Sequence, residues 1–315
     1  MNRQIDRRVI IRSLLGVSAA LVAAAAACGG GGPTEPGSEP AIARFTAGVA
    51  QTAAAVTGQQ AKIADEVEKG HFVGFDTHTY PGTVTMKAWK DTPGSPYKWV
   101  GYYLPSPCHA DRSWSGKRDT LVNMGWGLAA VYVGQQTWGH TPRALSPDNL
   151  KSLRDKTPCA ADLISGSEGE LEADDAVRKA TVEGFPAGAV IFLDIERMET
   201  MPDAMREYYR AWTRRMLQNG KYLPGIYTHQ HNAQQVFDDV SAEFQAAGRT
   251  EMPRFWIAGG KGFDQGRAPQ DVGYAFAGVW QGVIDVARSV ATIKLPVDIN
   301  VAKWASPSES GVNVQ

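Results

Sequence analysis

Eight short apolar runs recur along this chain. They are 71–77 (HFVGFDT), 97–104 (YKWVGYYL), 127–136 (GLAAVYVGQQ), 189–196 (AVIFLDIE), 223–229 (LPGIYTH), 254–260 (RFWIAGG), 276–282 (FAGVWQG) and 297–302 (VDINVA). Several are apolar at consecutive positions rather than at every second one. That pattern predicts strands covered on both faces. Helix-like segments separate several of them: DDAVRKATVEGF before the fourth run, MPDAMREYYRAWTRRMLQNG after it, and HNAQQVFDDVSAEFQAAG after the fifth. Strands alternating with helices predict a parallel sheet. The last three runs lie closer together, with less helix between them. The predicted fold is α/β: a TIM-type (β/α) barrel of eight strands with fewer helices near the C-terminal end. The span 71–302 fits the roughly 250 residues typical of such a barrel. An open doubly wound sheet is the competing architecture. It calls for a glycine-rich phosphate loop after the first strand, and GFDTHTYPG does not match GxGxxG. Residues 43–70, Ala-rich and ending at Gly70, read as a helix. The polar segment from Thr137 to Asp175, with SGSEGE in its middle, reads as an inserted mobile loop beside the barrel mouth.

The fourth run carries the candidate chemistry. Five apolar residues lead into Asp194-Ile195-Glu196. Side chains alternate along a strand, so Asp194 and Glu196 share a side. At the C-terminal end of a barrel strand they face the mouth, where barrel enzymes place their reactive groups. Residues i and i+2 lie about 6.5–7 Å apart along a strand. Two carboxyls at that separation raise the pKa of one of them, a general acid/base arrangement. Asp76 and Asp298 end the first and last runs. If the barrel closes, those strands are neighbours and four acids ring one mouth.

Composition narrows the partners. The 315 residues are 43% hydrophobic and 21% charged, with a net charge of -1. No basic footprint suggests nucleic acid. Nine Trp and ten Tyr suit either a core or a sugar site. The N-terminus carries Arg3, Arg7, Arg8 and Arg12, then an uncharged run from Ser13 to Ala27. That run is short for a membrane span of about 20 residues and reads as an export signal. Arg7-Arg8 followed by Val9-Ile10-Ile11 resembles a twin-arginine signal, with a general secretory signal as the alternative. The run ends AAAC, which marks Cys28 as a lipoprotein cleavage and lipidation site; ordinary signal peptidase cleavage is the other reading. The organisation expected is a signal peptide over 1–27, a Gly/Pro/Ser/Glu tether over 28–42 and a barrel domain over 43–315. In an exported protein the remaining pair, Cys108 and Cys159, suggests a disulfide. A catalytic Cys108-His109 pair is disfavoured, because adjacent residues seldom present both side chains to one point.

With these motifs in order, the chain resembles the family 25 glycoside hydrolases, the muramidase-type lysozymes. GFDTHTYPG is similar to their opening strand and VIFLDIE to their Asp-x-Glu strand. YLPGIYTH resembles their Tyr-bearing strand, RFWIAGG their Trp strand, and GVWQG with VDINVA their closing strands. It resembles still more an exported bacterial glycoside hydrolase-like domain family, in GFDT, GWGLAAVYVGQQ and PGIYTH. The resemblance implies a cell-envelope glycoside hydrolase-like protein acting on peptidoglycan or another envelope glycan, without a cofactor. Glu196 is implied as the general acid and Asp194 as the group that tunes it or stabilises an oxocarbenium-like transition state. Asp76 and Asp298 would orient substrate or water. Tyr227, Trp256 and Gln281 would line the sugar subsite, and Gln135 and Gln136 would bind a sugar hydroxyl. His78, two residues beyond Asp76, joins the substrate-binding candidates. The chain departs from the lysozymes after Asp76 and after Trp256, where Ile257-Ala258-Gly259 stands. Two alternatives accompany this reading. One is a non-catalytic glycan-binding module on the same barrel. The other is a metal-dependent hydrolase or deacetylase using His78, His229 and His231, although no HExxH spacing occurs and no metal ligand set is assigned. The expected location is the extracytoplasmic envelope, with the membrane contacted through a lipid on Cys28.

Overall fold

The eight runs become eight strands that close into one barrel, in the order β1 to β8 around the wall. The structure, a computed structural model, describes residues 71–309. The predicted helix over 43–70, the signal, the tether and Cys28 lie outside the described residues. The strands are β1 (Phe72–Asp76), β2 (Trp99–Tyr103), β3 (Gly127–Val133), β4 (Val190–Ile195), β5 (Leu223–His229), β6 (Arg254–Ala258), β7 (Ala277–Val290) and β8 (Ile293–Ala302). The helices are α1 (Thr83–Asp91), α2 (Arg118–Asn123), α3 (Pro147–Lys156), α4 (Gly166–Val182), α5 (Asp203–Asn219) and α6 (Ala233–Ala246). None of the described helices is long and apolar enough to cross a membrane.

Alternation along the strands builds two cores. Trp99, Val131, Val133, Phe192, Trp256 and Val279 fill the barrel interior. Their sequence neighbours, such as Ala130, Tyr132, Ile191, Leu193 and Ile195, pack outward against the helices. The interior sets large rings beside glycine. A Cβ on Gly74 would come within 2.2 Å of the Trp99 indole, and one on Gly225 within 2.9 Å of the Phe192 ring. Trp99, Phe192 and Tyr227 meet the Trp256 ring edge-on, at centroid distances of 5.4, 5.8 and 5.5 Å. Glycine therefore leaves the volume that these rings occupy.

Two expectations need correction. The sheet is not wholly parallel: β8 runs antiparallel to both β7 and β1. No helix separates β7 from β8, so the chain turns back directly at Ala291, whose φ is 51°. Parallel neighbours require a crossover, and a hairpin cannot supply one. The two strands project past the barrel wall, and Trp89 of α1 donates to the Ile293 carbonyl at 3.2 Å. Register shifts between Gln281, Val283 and Val286 bend β7 where it leaves the barrel.

The segment 137–175 is not an unstructured insertion. It contains α3, a short 3-10 turn at Ala161–Leu163 and the first half of α4. Ser146 caps α3 ahead of Pro147, and the Ser165 hydroxyl accepts from the Glu168 amide at 3.2 Å. Ser165-Gly166-Ser167-Glu168 is the S-x-x-E signal of a helix start, hidden inside a glycine- and serine-rich stretch. Cys108 and Cys159 are bonded, with their Cα atoms 4.9 Å apart. The bond ties the loop after β2 to the turn between α3 and α4.

The two cysteines are 51 residues apart in sequence. Chain-entropy arguments give about 4 kcal/mol for closing such a loop. The double variant Cys108→Ser/Cys159→Ser is expected to lose roughly that much in urea unfolding while keeping its far-UV spectrum. A stability equal to the parent would show that the staple constrains nothing.

Candidate active site

The C-terminal ends of the parallel strands carry the acids. In the β1–β8 ladder Asp76 lies directly opposite Asp298. Asp76 is 3% exposed. Its Oδ2 accepts from Gln281 Nε2 at 3.1 Å and from Asn300 Nδ2 at 2.8 Å, and its Oδ1 accepts from the Tyr103 hydroxyl at 2.7 Å. Asp298 Oδ2 accepts from the same Gln281 Nε2 at 3.0 Å, and its Oδ1 from the Asp285 amide at 2.6 Å.

The amides are oriented from behind. Trp256 Nε1, a donor only, points at Asn300 Oδ1 at 2.9 Å, and the Tyr227 hydroxyl donates to Gln281 Oε1 at 2.6 Å. Each amide therefore turns its NH2 toward a carboxyl. Burial raises the Asp76 pKa to about 6 against the hydrogen bonds from Tyr103, Asn300 and Gln281. Burial and then the neighbouring Asp76 raise Asp298 to about 7.

Across the mouth, β4 presents Asp194, 9% exposed, with Glu196 just past the strand end and exposed. Asp194 Oδ1 is buried and has no hydrogen-bond partner among the described residues. Burial, then Glu196, then Asp76 push the Asp194 pKa well above the usual carboxylate range. A buried oxygen without a donor cannot hold a charge cheaply, which disfavours the ionised form of Asp194. Gln136 fixes the backbone here. Its Nε2 donates to the Asp194 carbonyl at 2.8 Å, and its Oε1 accepts from the Glu196 amide at 3.1 Å. The side-chain amide thereby acts as one more strand partner beyond the end of β3.

The structure joins Asp76, Asp298, Tyr227 and Gln281 in one hydrogen-bond network, with Asp194 near enough to interact electrostatically with Asp76 and Glu196 exposed at the rim. Four of the substrate-contact expectations are corrected. Trp256 is 1% exposed, enclosed by Trp99, Phe192 and Tyr227, and forms the floor rather than a sugar platform. Gln281, also 1% exposed, has both ends of its amide engaged by Tyr227, Asp76 and Asp298. Gln135 turns to the helix layer, donating to Glu172 Oε1 at 2.7 Å and to the Pro158 carbonyl at 2.8 Å. Gln136 is occupied by the β4 backbone.

His78 is exposed at the rim, its ring 4.2 Å from that of His109. His109 stacks on Tyr103 at 4.8 Å. Burial, and then His78, lower the His109 pKa to about 4, so that ring is neutral. His229 and His231 of the metal-dependent alternative are engaged with the protein backbone. His229 Nδ1 accepts from the His231 amide at 3.1 Å, while His231 Nε2 lies 3.2 Å from the Glu199 carbonyl. No group of three His, Cys, Asp or Glu among the described residues is placed to hold a metal ion. The Cys108-His109 pair is likewise ruled out as a nucleophile–base pair, because Cys108 is in the disulfide.

Sequence reasoning missed Tyr103, His109, Asn300 and Asp285. Asn300 was within reach: it stands two residues after Asp298, the spacing that paired Asp194 with Glu196. Tyr103 likewise ends a run two residues after Gly101, where a Cβ would come within 2.6 Å of the Asp76 Cβ. Nothing in the sequence around Asp285 signals that the bend in β7 returns its amide to Asp298.

A sequence model of the Rv2525c-like, glycoside hydrolase-like domain matches residues 87–301, and the chain belongs to that family. No curated protein matches the chain by sequence. Among solved structures, the Tat-secreted protein Rv2525c of Mycobacterium tuberculosis is 14% identical, over 72% of this chain and 93% of that one, with a TM-score of 0.42. The spore cortex lytic enzyme SleM of Clostridium perfringens is 12% identical, over 74% and 67%, with a TM-score of 0.46. GHIP, a glycosyl hydrolase 25 of Streptococcus pneumoniae, is 15% identical, over 77% and 92%, with a TM-score of 0.46. None of these likenesses bears on the chemistry of the site.

The raised acids make stability depend on pH. A carboxyl with a raised folded-state pKa contributes stability below its ordinary value, near 3.8, and loses it as pH rises through the folded value, about 7 for Asp298. Thermal stability of the parent is therefore expected to fall as pH rises from 4 to 7 through this group. Asp298→Asn keeps an oxygen for the Asp285 amide and should flatten the decline. Parallel pH curves for parent and variant would refute the assignment.

Proposed function

We propose that this protein is a cell-envelope glycoside hydrolase that cleaves peptidoglycan or another envelope glycan by carboxylate acid/base chemistry. The observation that carries the reading is the pairing of buried Asp194 with rim-exposed Glu196 at one strand end. Opposite them lies a second carboxyl pair, Asp76 and Asp298. Hydrolysis adds water across the glycosidic C–O bond: the leaving oxygen takes a proton and the anomeric carbon a hydroxyl. Glu196, at the rim, delivers that proton and regains one from solvent. Asp194 beneath it is coupled to Glu196, since two carboxylates so close do not both carry a charge cheaply. Asp76 and Asp298, joined through Gln281, orient the water or face the positive charge developing on the sugar ring. Tyr227 supports them through Gln281, and His78 borders the entrance.

The leader supports export, with Arg7-Arg8 as a twin-arginine signal and Cys28 as a lipid anchor on the extracytoplasmic side. The domain boundaries proposed are a signal over 1–27, a tether over 28–42 and the barrel domain from 43. One observation favours the non-catalytic binding module instead: both oxygens of Asp76 are already engaged by protein donors.

Release of reducing ends from peptidoglycan and a panel of envelope glycans separates the two. Glu196→Gln is expected to unfold at the parent temperature and to lose at least about 100-fold in turnover, the usual worth of a general acid. Unchanged turnover in the variant would remove Glu196 from the reaction. Retention on cell walls without release by the parent would establish the binding module.

A further inference from the structure

Seven of the nine tryptophans are buried. Trp304 is half-buried, with the Arg254 guanidinium over its ring. Trp138 is the exception, 60% exposed just beyond β3. Its backbone is unusual as well. Trp138 has φ 40° and Gly139 φ 80°, and the His140 amide closes the turn on the Thr137 carbonyl at 2.8 Å. Bulky residues rarely occupy the first such position. An indole 60% exposed gains little from packing there, and the turn holds it at the surface.

The indole borders a cleft of about 400 Å³, lined also by Gln136, Thr137, His140, Thr141 and Arg143. That volume lies within the roughly 300–1,000 Å³ common for small-molecule sites. The cleft adjoins the mouth through Gln136, whose amide holds Asp194 and Glu196. Its walls are anchored. Cys159, on its far side, is in the disulfide. Arg143 binds Asp162 through its backbone amide and its Nε, each at 3.0 Å. That pairing neutralises Arg143, so the cleft offers hydroxyl and amide contacts rather than an unbalanced positive charge.

We propose that this cleft is an outer subsite for an uncharged sugar unit, with Trp138 as the stacking platform, binding a glycan that continues from the acidic mouth. It rests on the reading of the mouth as a glycan site. The apolar C–H face of a pyranose lies against the indole, and ring hydroxyls or an acetamido group reach Thr137, Thr141 and His140.

Calorimetric binding of the di- and tetrasaccharide of β-1,4-linked N-acetylglucosamine to the full chain tests it, with reducing ends read in the same samples. The parent should favour the tetramer. Trp138→Ala should weaken tetramer binding about tenfold and leave the dimer within about twofold, while Trp138→Phe restores most of the loss. Because Trp138 is exposed, its variants should unfold at the parent temperature. Tetramer affinity unchanged in Trp138→Ala overturns the subsite, as does a parent that binds neither oligomer. Trp138-dependent tetramer binding without turnover keeps the subsite and leaves the hydrolase to the peptidoglycan assay. Turnover with length-independent binding overturns the subsite and keeps the hydrolase.

Discussion

The antiparallel closure of β8 onto β1 is the constraint on which the mouth depends. It sets Asp298 directly across from Asp76 on the inner side of the barrel. Two like charges so placed repel each other, and burial sharpens the repulsion. The fold answers with neutral donors. One nitrogen of Gln281 reaches both acids, and Asn300 and Tyr103 complete Asp76. Those donors work only if the two amides face the right way, and Trp256 and Tyr227 ensure it by donating to the amide oxygens. The aromatic floor thus orients the polar layer above it. The glycines beneath are part of the same device, because only their missing Cβ atoms make room for the rings.

The β3–β4 side solves a different problem in a similar way. A strand ending in Asp-x-Glu has lost its neighbour, since β3 stops at Val133. Gln136 supplies the missing ladder bonds from its side chain. Its position is fixed in turn by Gln135, which is locked to Glu172 and to the Pro158 and Ala160 backbone beside the disulfide. Burial raises the Glu172 pKa to about 8, so this layer too is held by a protonated carboxyl at neutral pH. A contact chain therefore runs from the Cys108–Cys159 bond to the backbone of the two acids.

All eight strands were legible because burial on both faces leaves an unbroken apolar run, and the acids stood out as charges at the ends of such runs. Direction was not legible. The run VDINVA reads the same in either sense, and only the scarcity of helix before it hinted at a hairpin. Nor could residue type separate floor from rim. Trp256 looked like a sugar platform and is the floor, while Trp138, in a segment read as mobile loop, is the exposed ring. That difference lies in height along the barrel axis, which depends on how β6 is staggered against its neighbours. The three glutamines, Gln135, Gln136 and Gln281, are engaged within the protein for a common reason. A long polar side chain at a strand end is as well suited to holding a neighbouring backbone as to holding a ligand.

The distribution of cations bears on what the mouth can do. In the helix layer, several buried or partly buried acids are paired with arginine: Glu168 with Arg154, Asp239 with Arg206, and Glu243 with Arg210 and Arg214, whereas Glu172 is held by Gln135 and Tyr208. In the mouth, Asp76, Asp194 and Asp298 form no ion pair among the described residues, and the donors that reach them are neutral. An arginine beside a carboxylate lowers its pKa and keeps it ionised across the physiological range. Tyrosine, amide and peptide donors offset less of the burial penalty, which leaves the carboxyls able to gain and lose protons near neutrality. Neutral partners at this end of the barrel are compatible with the acid/base chemistry proposed for it.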